Sequence, residues 1–289
     1  MSVAYSRAQL TTFRVVFGIY LSLHLVTLAP YAIELYSAEG MLPSARVNLT
    51  AGHFPNVLAW SDSPETISLL FVTAITSSLM IIIGRWPRSS ALMLWYVIHC
   101  LYHRNNLTHH LGVNYVAWLL LVVAATPPPR LNERVSRWAL PRALYVGGWM
   151  IFGLSYTVSG LDKLSNDHWV TGEALSYIAR SPETSAGYPE LILWLPDCAL
   201  RLLTWGALTL EILALPMTIF KHTRRVIWAG LLGMHLGIMI TMGFYDLTGG
   251  ILCFYLLLME PRLFNAVQMR FKRLSVTPLE RAQRRGDAS

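Results

Sequence analysis

The amino-acid sequence predicts an all-α integral membrane protein with about eight transmembrane helices. Apolar residues make up 54% of the 289 residues and charged residues only 13%, whereas a soluble domain is about a quarter charged. Several segments contain the roughly 20 mostly apolar residues that a helix needs to cross a bilayer. A soluble bundle of hydrophobic helices is the alternative, but too few polar residues remain to cover its surface.

Six segments are the clearest candidates for these helices. Five of them contain no Asp, Glu, Lys or Arg, and one contains a single charge, Glu211. Two shorter apolar runs are expected to be tilted or partly interfacial. The six segments are residues 15–33, 66–84, 105–129, 143–161, 202–220 and 226–245, and the two runs are residues 89–103 and 247–259. The total of eight is our prediction, with seven and nine as alternatives.

Two segments between the spans are expected to be structured. The long segment 162–200 joins the fifth and sixth helices and is the richest in polar groups. We expect a short helix in it near residues 172–180, with Thr171 as the N-cap. The first loop, about residues 35–65, is expected to pack as an ordered loop.

Lys and Arg are distributed unevenly between the two sides of this topology. With the N-terminus in the cytoplasm, 18 of the 23 Lys and Arg residues lie on the cytoplasmic side, as the positive-inside rule requires. Both termini are then cytoplasmic, and the segment 162–200 faces the exoplasmic side. We expect one domain over residues 1–262, a basic cytoplasmic tail over residues 263–289, and a location in a bacterial inner membrane.

The remaining compositional features exclude several other classes of function. The net charge of +7 is explained by contact with anionic lipid and does not indicate a nucleic-acid partner. The three cysteines are widely spaced and form no disulfide framework or zinc pattern. His99 and His103 share a helix face, which permits joint metal ligation. No further histidine cluster of the kind that membrane desaturases use accompanies them, so we predict no metal.

Lys163 is the polar residue that most clearly suggests a function. It is one of three lysines, it follows the uncharged stretch 143–161, and it stands beside Asp162. A solvated lysine has a pKa of about 10.4, and withdrawal of an amine from water favours the neutral form. A neutral amine in a poorly solvated place can act as a general base. Lys163 is therefore the candidate catalytic residue.

Other polar residues lie at or near membrane depth, where they are costly. Glu211 is midway along its span, and His235 is near the middle of the next one. For both residues, contact with a ligand and fixation of helix packing remain open. Asn106, His109 and His110 form a polar cluster that is expected on the same side as Lys163. A solvated loop is the alternative for this cluster.

Four stretches of the chain form a recognisable series. The first is Phe13-Arg-Val-Val-Phe-Gly18, and the second is the polar loop that ends at His110. The third is Tyr156-Thr-Val-Ser-Gly-Leu-Asp-Lys-Leu164, with Trp169 and Gly172 after it, and the fourth is Glu211 with His235. In this order, over about residues 10–262, they resemble the transmembrane module of vitamin K-dependent γ-glutamyl carboxylases. This module is the horizontally transferred transmembrane (HTTM) domain, which is also found in bacteria.

The resemblance implies a role for each candidate residue. Lys163 matches the base that deprotonates vitamin K hydroquinone, and His110 matches a second catalytic position. The chain departs from the animal enzymes at Asp162, where they have a second lysine. A carboxylate at this place favours the ammonium form of a neighbouring amine. The other candidates are expected around the quinone, and they are Asn106, His109, Tyr156, Trp169, Glu211 and His235.

The chemistry implied by the resemblance uses reduced vitamin K, of the menaquinol or phylloquinol type, with O2 and CO2 as co-substrates. Oxygenation of the hydroquinone anion gives a quinone epoxide and a strong alkoxide base. This base removes a weakly acidic proton from a glutamyl side chain, which then captures CO2. The implied partners are the lipid bilayer, a quinone and a small peptide or protein substrate. The alternative is a non-enzymatic accessory protein in the maturation or export of a secreted peptide toxin.

Overall fold

A computed structural model of the chain describes residues 7–48, 52–126, 140–184 and 187–275. Its regular structure in these residues is helical, which confirms the predicted all-α class. The α-helices are α1 (Arg7–Leu28), α2 (Ala32–Tyr36), α3 (Pro64–Ile83), α4 (Pro87–Arg104), α5 (Leu111–Ala125), α6 (Arg142–Lys163), α7 (Asp167–Val170), α8 (Ala174–Ala179), α9 (Glu190–Leu193), α10 (Asp197–Ile212), α11 (Ala214–Ile219), α12 (Lys221–Met242), α13 (Tyr245–Leu258) and α14 (Pro261–Ser275). Short 3-10 turns occur at Ala29–Tyr31, Ala45–Val47, Val57–Ala59, Asn106–Thr108 and Pro182–Thr184.

Four helices in the described residues are long and apolar enough to cross a membrane. They are Arg7–Tyr36, which joins α1 to α2, and the helices α3, α6 and α12. A fifth span results if α13 and the first part of α14 are counted together, although the two are bent by 103°. Helix α5 is apolar but shorter. These helices support an integral membrane protein with four or five candidate spans, and the total of eight stays a prediction.

The structure has fewer candidate spans than the eight predicted transmembrane helices for local reasons. The predicted span 202–220 is divided at Leu213, so that α10 has only 16 residues. The predicted span 105–129 is helical only from Leu111, because the polar residues before it form a 3-10 turn and a cap. Helix α4 agrees in position with the run 89–103 but also carries Arg88 and Arg104. A break at an apolar residue in the first case, and polar residues at the helix ends in the other two, therefore shorten the apolar lengths that the sequence pattern predicts.

The helices pack in two groups that share α13. In the first group α1 contacts α3, α3 contacts α4, α4 contacts α5, and both α5 and α1 contact α13. In the second group α6 contacts α10 and α11, α11 contacts α12, and α12 contacts α13. Phe152 of α6 and Phe254 of α13 meet with ring centroids 6.0 Å apart. Helix α13 is thus the structural link between the two groups.

Small residues allow α1 and α3 to approach closely. A side chain at Gly18 would meet Ile82 at 2.6 Å and the carbonyl oxygen of Ser78 at 3.2 Å. One turn further, the hydroxyl groups of Ser22 and Ser78 lie 2.8 Å apart. Such small and hydroxylated residues are typical of helix contacts inside membranes. The stretch that ends at Gly18 therefore serves helix packing.

The first loop is ordered in its described residues by contacts with the end of α4. The buried Arg104 side chain donates to Asp62 at 3.0 Å and to the carbonyl oxygen of Leu42 at 2.8 Å. The Asn56 amide donates to the carbonyl oxygen of Cys100 at 2.9 Å. The Asn48 amide donates to the carbonyl oxygens of Tyr102 and His103, which lie in the last turn of α4 and have no partner within the helix. The expectation of an ordered loop is confirmed for its described residues, 35–48 and 52–65.

The same loop explains the spacing of His99 and His103. The Phe54 ring lies between them, with centroid distances of 5.5 Å to His99 and 5.1 Å to His103. The Nδ1 atom of His99 also lies 2.8 Å from the carbonyl oxygen of Trp95. Among the described residues, no group of three or more His, Cys, Asp or Glu side chains is suited to a metal ion. The two histidines therefore belong to an aromatic cluster.

The segment between α6 and α10 contains short helices. Helix α8 (Ala174–Ala179) confirms the predicted short helix near residues 172–180. The expected N-cap was wrong, because Thr171 ends α7, and Glu173 is the residue that precedes α8. Gly172 separates the two helices with a φ of 82°, a left-handed conformation that glycine adopts without steric cost.

Lys163 and a group of basic residues lie at opposite ends of the bundle. Lys163 is the last residue of α6, a helix of 22 residues and therefore roughly 33 Å long. Arg224 lies over the ring of Trp149, in the first half of the same helix, at 5.1 Å. Arg225 forms a salt bridge with Glu260 near that end. The structure describes the predicted basic tail, residues 263–289, only as far as the end of the amphipathic α14, because residues 276–289 lie outside the described residues.

The Arg104 contacts predict a large effect of Arg104→Met on stability. The substitution removes two hydrogen bonds from a fully buried guanidinium and leaves Asp62 without its partner. Hydrogen bonds to charged groups contribute about 1.5–3 kcal/mol each, so we expect a loss of that order in the free energy of unfolding in detergent. Arg46→Met, on the exposed part of the same loop, is the control and should change stability little. Equal effects of both substitutions would contradict the proposed role of Arg104.

Candidate functional site

The last turns of α6 place three polar side chains on one helix face. Ser155, Ser159 and Lys163 are each four residues apart, and residues with this spacing lie above one another on a helix. All three line a large cavity. The face is therefore a polar strip on a mostly apolar helix.

Gly160 lets the next helix come close to this strip. A side chain at this position would lie 2.8 Å from the backbone nitrogen of Ile212 and 2.9 Å from Cβ of Glu211. The Thr157 hydroxyl donates to the carbonyl oxygen of Ile212 at 3.1 Å and accepts from the backbone N–H of Leu215 at 2.9 Å. Thr157 thereby joins α6 to the break between α10 and α11. Together the two residues hold Glu211 against α6.

Lys163 and Glu211 form an ion pair at this contact. Nζ of Lys163 lies 2.6 Å from Oε2 of Glu211 and 2.6 Å from Oγ of Ser159. The Ser159 hydroxyl also donates to Oε2 of Glu211 at 3.2 Å. The exposed fraction is 22% for the Lys163 side chain and 8% for that of Glu211. The carboxylate that contacts Lys163 is thus a buried one from another helix, and the neighbouring Asp162 instead lines the cavity.

An aromatic ring covers the ammonium group on another side. Nζ of Lys163 lies 5.2 Å from the centroid of the Trp169 ring, within the range of cation–π attraction. Helix α7 carries this ring and is held on α10 by a hydrogen bond of 3.0 Å from Trp205 to the carbonyl oxygen of Val170. A side chain at Gly172 would contact Arg201 and Trp205 at 3.0 Å. The spacing of Trp169 and Gly172 after Lys163 therefore brings the ring over the amine.

A second polar group lies deeper in the bundle. The Tyr156 hydroxyl is 2.6 Å from Nε2 of His235 and 2.9 Å from the hydroxyl of Tyr255. All three side chains are buried. Within the described structure Nδ1 of His235 is a buried nitrogen without a hydrogen-bond partner. Because an unpaired buried polar atom is costly, this nitrogen is available to a polar atom of a molecule in the cavity.

Both polar groups line one cavity of about 1030 Å³. Its wall is formed by α5, α6, α7, α8, α9, α10, α12 and the start of α13, and most of the lining side chains are apolar. Five of the eight predicted site residues line it, namely Tyr156, Lys163, Trp169, Glu211 and His235. The cavity therefore combines a large apolar volume with a few polar atoms on the α6 side.

The other three predicted residues lie elsewhere. His109 and His110 line a smaller cavity of about 150 Å³ that also contains His24 and Asp246. Nδ1 of His110 accepts a hydrogen bond from the backbone N–H of Gly112 in the first turn of α5. Asn106 is half-buried in its 3-10 turn, outside both of the described cavities. The structure thus does not bring His110 together with Lys163.

One contact links the two cavities. Nε2 of His109 lies 3.2 Å from Oδ1 of Asn114, and Asn114 lines the large cavity. Asn114 was missed by sequence reasoning, although it is a polar residue inside an apolar segment. Ser159 was also missed, and its spacing of four from Lys163 was the available signal. Tyr255 had no such signal, because it lies in an apolar run 99 residues from Tyr156.

Comparison with known proteins gives one match. The model of a family described as the HTTM domain matches residues 4–245. No curated protein and no solved structure matches the chain. The matched range contains Lys163, Glu211 and His235, whereas Tyr255 lies just beyond it.

The ion pair predicts non-additive effects of substitutions at its two positions. Lys163→Met leaves a buried carboxylate without its partner, and Glu211→Gln leaves the ammonium group without its own. In the double variant neither charge remains, so the two effects should overlap. Contacting residues show interaction energies of about 0.5–3 kcal/mol. We expect an interaction energy in this range when it is calculated from the free energies of unfolding of the four proteins in detergent. Lys163→Met combined with Glu260→Gln, at the other end of the bundle, should be additive. Additivity of the first pair as well would contradict the ion pair.

Proposed function

The chain belongs to the HTTM domain family, and from this membership and the Lys163 cavity we propose that it is a membrane-embedded, quinol-dependent enzyme. In the proposed reaction it deprotonates a reduced quinone of the vitamin K type, whose oxygenation is coupled to γ-carboxylation of a glutamyl side chain in a peptide. The observation that carries the proposal is the Lys163 amine, which Glu211 and Ser159 hold at the polar side of a large apolar cavity.

The cavity fits the chemical character of such a quinol. Sites for small molecules are mostly apolar, with volumes of about 300–1,000 Å³ and a few convergent polar groups. A volume of about 1030 Å³ is large enough for an aromatic ring system with an apolar tail. Trp169 offers an aromatic face beside Lys163, and Nδ1 of His235 offers an unpaired buried nitrogen. These groups suit a ligand that has oxygen atoms on an aromatic ring.

Lys163 can serve as the base only after it has lost a proton, and Glu211 is placed to receive it. A carboxylate in hydrogen-bond contact stabilises the ammonium form as long as water solvates the pair. An apolar ligand displaces that water, and separated charges then become costly. Transfer of the proton from Lys163 to Glu211 neutralises both groups over a distance of 2.6 Å. We propose that binding of the quinol thereby generates the neutral amine, and Ser159 keeps it oriented.

When bound, reduced vitamin K of the menaquinol or phylloquinol type supplies a hydroquinone that reacts with O2, so that one oxygen atom enters an epoxide and the other leaves as water. The residues of the chain hold the ring, accept the quinol proton at Nζ of Lys163 and exclude water. CO2 and a peptide glutamyl group are the proposed partners in the coupled carboxylation. We place the enzyme in a bacterial inner membrane with both termini in the cytoplasm, because basic residues gather at the end of the bundle away from Lys163.

Substitution of Lys163 tests the proposed base. Lys163→Arg retains the positive charge beside Glu211, but a guanidinium does not deprotonate at physiological pH. General-base catalysis contributes about 10²–10⁴-fold, so we expect epoxide formation from reduced vitamin K and O2 to fall at least 100-fold. The measurement is chromatography of the quinone products from purified protein in detergent. Lys163→Met should show the same loss.

The matched control is Lys221→Met, a substitution of an exposed lysine at the other end of the bundle, which should keep the rate within twofold. A Lys163→Arg variant that forms epoxide at the wild-type rate would refute the role of Lys163 as the general base. If the wild-type protein forms no epoxide from either menaquinol or phylloquinol, the proposed enzymatic function is refuted. The accessory role in toxin maturation is then favoured.

Cys198 provides a test of the proposed orientation. It is exposed in the first turn of α10, near the Lys163 end, whereas Cys100 and Cys253 are buried. A membrane-impermeant maleimide should therefore label the chain in spheroplasts without permeabilisation, and Cys198→Ser should abolish the labelling. A cysteine introduced by Lys221→Cys in the Cys198→Ser background should react only after permeabilisation. The reverse pattern would show that the cavity faces the cytoplasm.

A further inference from the structure

Helix α14 crosses the end of the bundle that lies away from Lys163. Helix α13 runs alongside α1, because contacts join the two helices at both ends. At one end Oδ1 of Asp246 lies 3.0 Å from Nδ1 of His24, and at the other end the Gln9 amide donates to the carbonyl oxygen of Met259 at 2.8 Å. Between α13 and α14 the chain bends by 103°. Helix α14 therefore runs across the bundle, at the level where α1 begins.

Contacts with the bundle fix the direction of α14. Arg225, near the start of α12, donates to Glu260, the residue that precedes α14. The carbonyl oxygen of Glu260 accepts a hydrogen bond of 3.0 Å from the backbone N–H of Phe264. The Phe264 side chain is only 6% exposed. The bundle therefore holds the first turn of α14 in one orientation.

Helix α14 has an apolar stripe that the described part of the chain leaves uncovered. Leu263 and Val267 are four residues apart and lie on one face of the helix. Their side chains are 43% and 40% exposed. Asn265 is two residues from each of them and is therefore turned by about 200° around the helix. It is also exposed, on the opposite face.

The charges of α14 have one sign. The helix contains four basic residues and no Asp or Glu, and the basic residues are Arg262, Arg270, Lys272 and Arg273. Arg262 and Arg270 are exposed. A helix that combines an apolar stripe with basic residues is typical of helices that lie in the interface of a bilayer.

The membrane surface is the partner that lies within reach of this helix. The spans α1 and α12 both begin at this corner, as the contacts of Gln9 and Arg225 show. A bilayer crossed by these spans has its surface at the level of α14. An apolar stripe gains free energy when it leaves water, and nearby Lys and Arg residues attract anionic headgroups.

We propose that α14 is a membrane-surface helix that recognises anionic phospholipids. Leu263 and Val267 enter the boundary between headgroups and acyl chains, which such helices penetrate by about 5–10 Å. Arg262 and Arg270 bind the anionic headgroups. This role of α14 is independent of the chemistry in the large cavity.

Fluorescent labels on the two faces of α14 test the depth of the helix. The full-length protein carries Cys198→Ser, because Cys198 is exposed whereas the other two cysteines are buried. It then receives either Val267→Cys or Asn265→Cys and an NBD label. Each protein is placed, one copy per disc, in nanodiscs of phosphatidylcholine and phosphatidylglycerol. Quenching by a lipid with a nitroxide near the headgroup end of its acyl chain should be at least threefold stronger for Val267→Cys than for Asn265→Cys.

Removal of charge tests the class of lipid. In nanodiscs of phosphatidylcholine alone, the quenching at Val267→Cys should fall at least twofold. Arg262→Gln combined with Arg270→Gln should cause the same fall in discs that contain phosphatidylglycerol. Arg142→Gln combined with Lys221→Gln is the matched control, since it removes two exposed basic residues at the same end of the bundle but outside α14. It should leave the quenching unchanged, and the midpoint of thermal unfolding shows whether each variant is folded.

Three outcomes would overturn this role of α14. Equal quenching of the two labels would show that the stripe does not enter the bilayer. Quenching that depends neither on phosphatidylglycerol nor on Arg262 and Arg270 would show that anionic lipid is not recognised. If the label at Val267→Cys is shielded from water only in discs with two copies, and the nitroxide lipid does not quench it, the stripe binds a second copy of the chain instead.

Discussion

The close contact between α6 and α10 is the constraint on which the rest of the site depends. At Gly160 the two helices are so near that a single added carbon would collide with the backbone of α10. This distance brings a carboxylate from the interior of one helix to the amine at the end of another. A buried carboxylate without a partner is costly, so packing and charge favour the same arrangement. The contact between α6 and α10, the ion pair and the polar strip on α6 therefore depend on one another.

The ion pair also explains why one side of the cavity is polar and the rest apolar. Lys163, Ser159 and Glu211 satisfy one another, so they need few further partners from the protein. The surrounding helices can then present apolar side chains and glycines to the remaining volume. Tyr156, Tyr255 and His235 form the second polar group, and there one nitrogen is left without a partner. The two groups differ in this respect, and the second leaves one nitrogen available to a molecule in the cavity.

The sequence predicted those parts of the site that lie close together in the chain. Lys163, Trp169 and Gly172 belong to one short motif, and the helix turn and the following loop bring the ring over the amine. The all-helical class also followed, because long apolar segments need internal hydrogen bonds. The partner of Lys163 was harder to predict, because Glu211 lies 48 residues away and the local sequence pattern does not show which helices meet. His110 was expected beside Lys163, but the order of motifs along a chain does not determine the cavity that each one lines. The break at Leu213 was missed for a related reason, because the apolar pattern continues through it.

In the proposed function the same geometry couples binding to proton transfer. Two charges in contact are costly without water, and the partial exposure of Lys163 gives water access to its ion pair with Glu211. In the proposed reaction a ligand that fills the cavity from the buried His235 to the ion pair removes this water, and proton transfer from Lys163 to Glu211 then avoids two desolvated charges. The apolar part of the ligand therefore contributes to the proposed chemistry as well as to affinity, because it excludes water from the reacting amine.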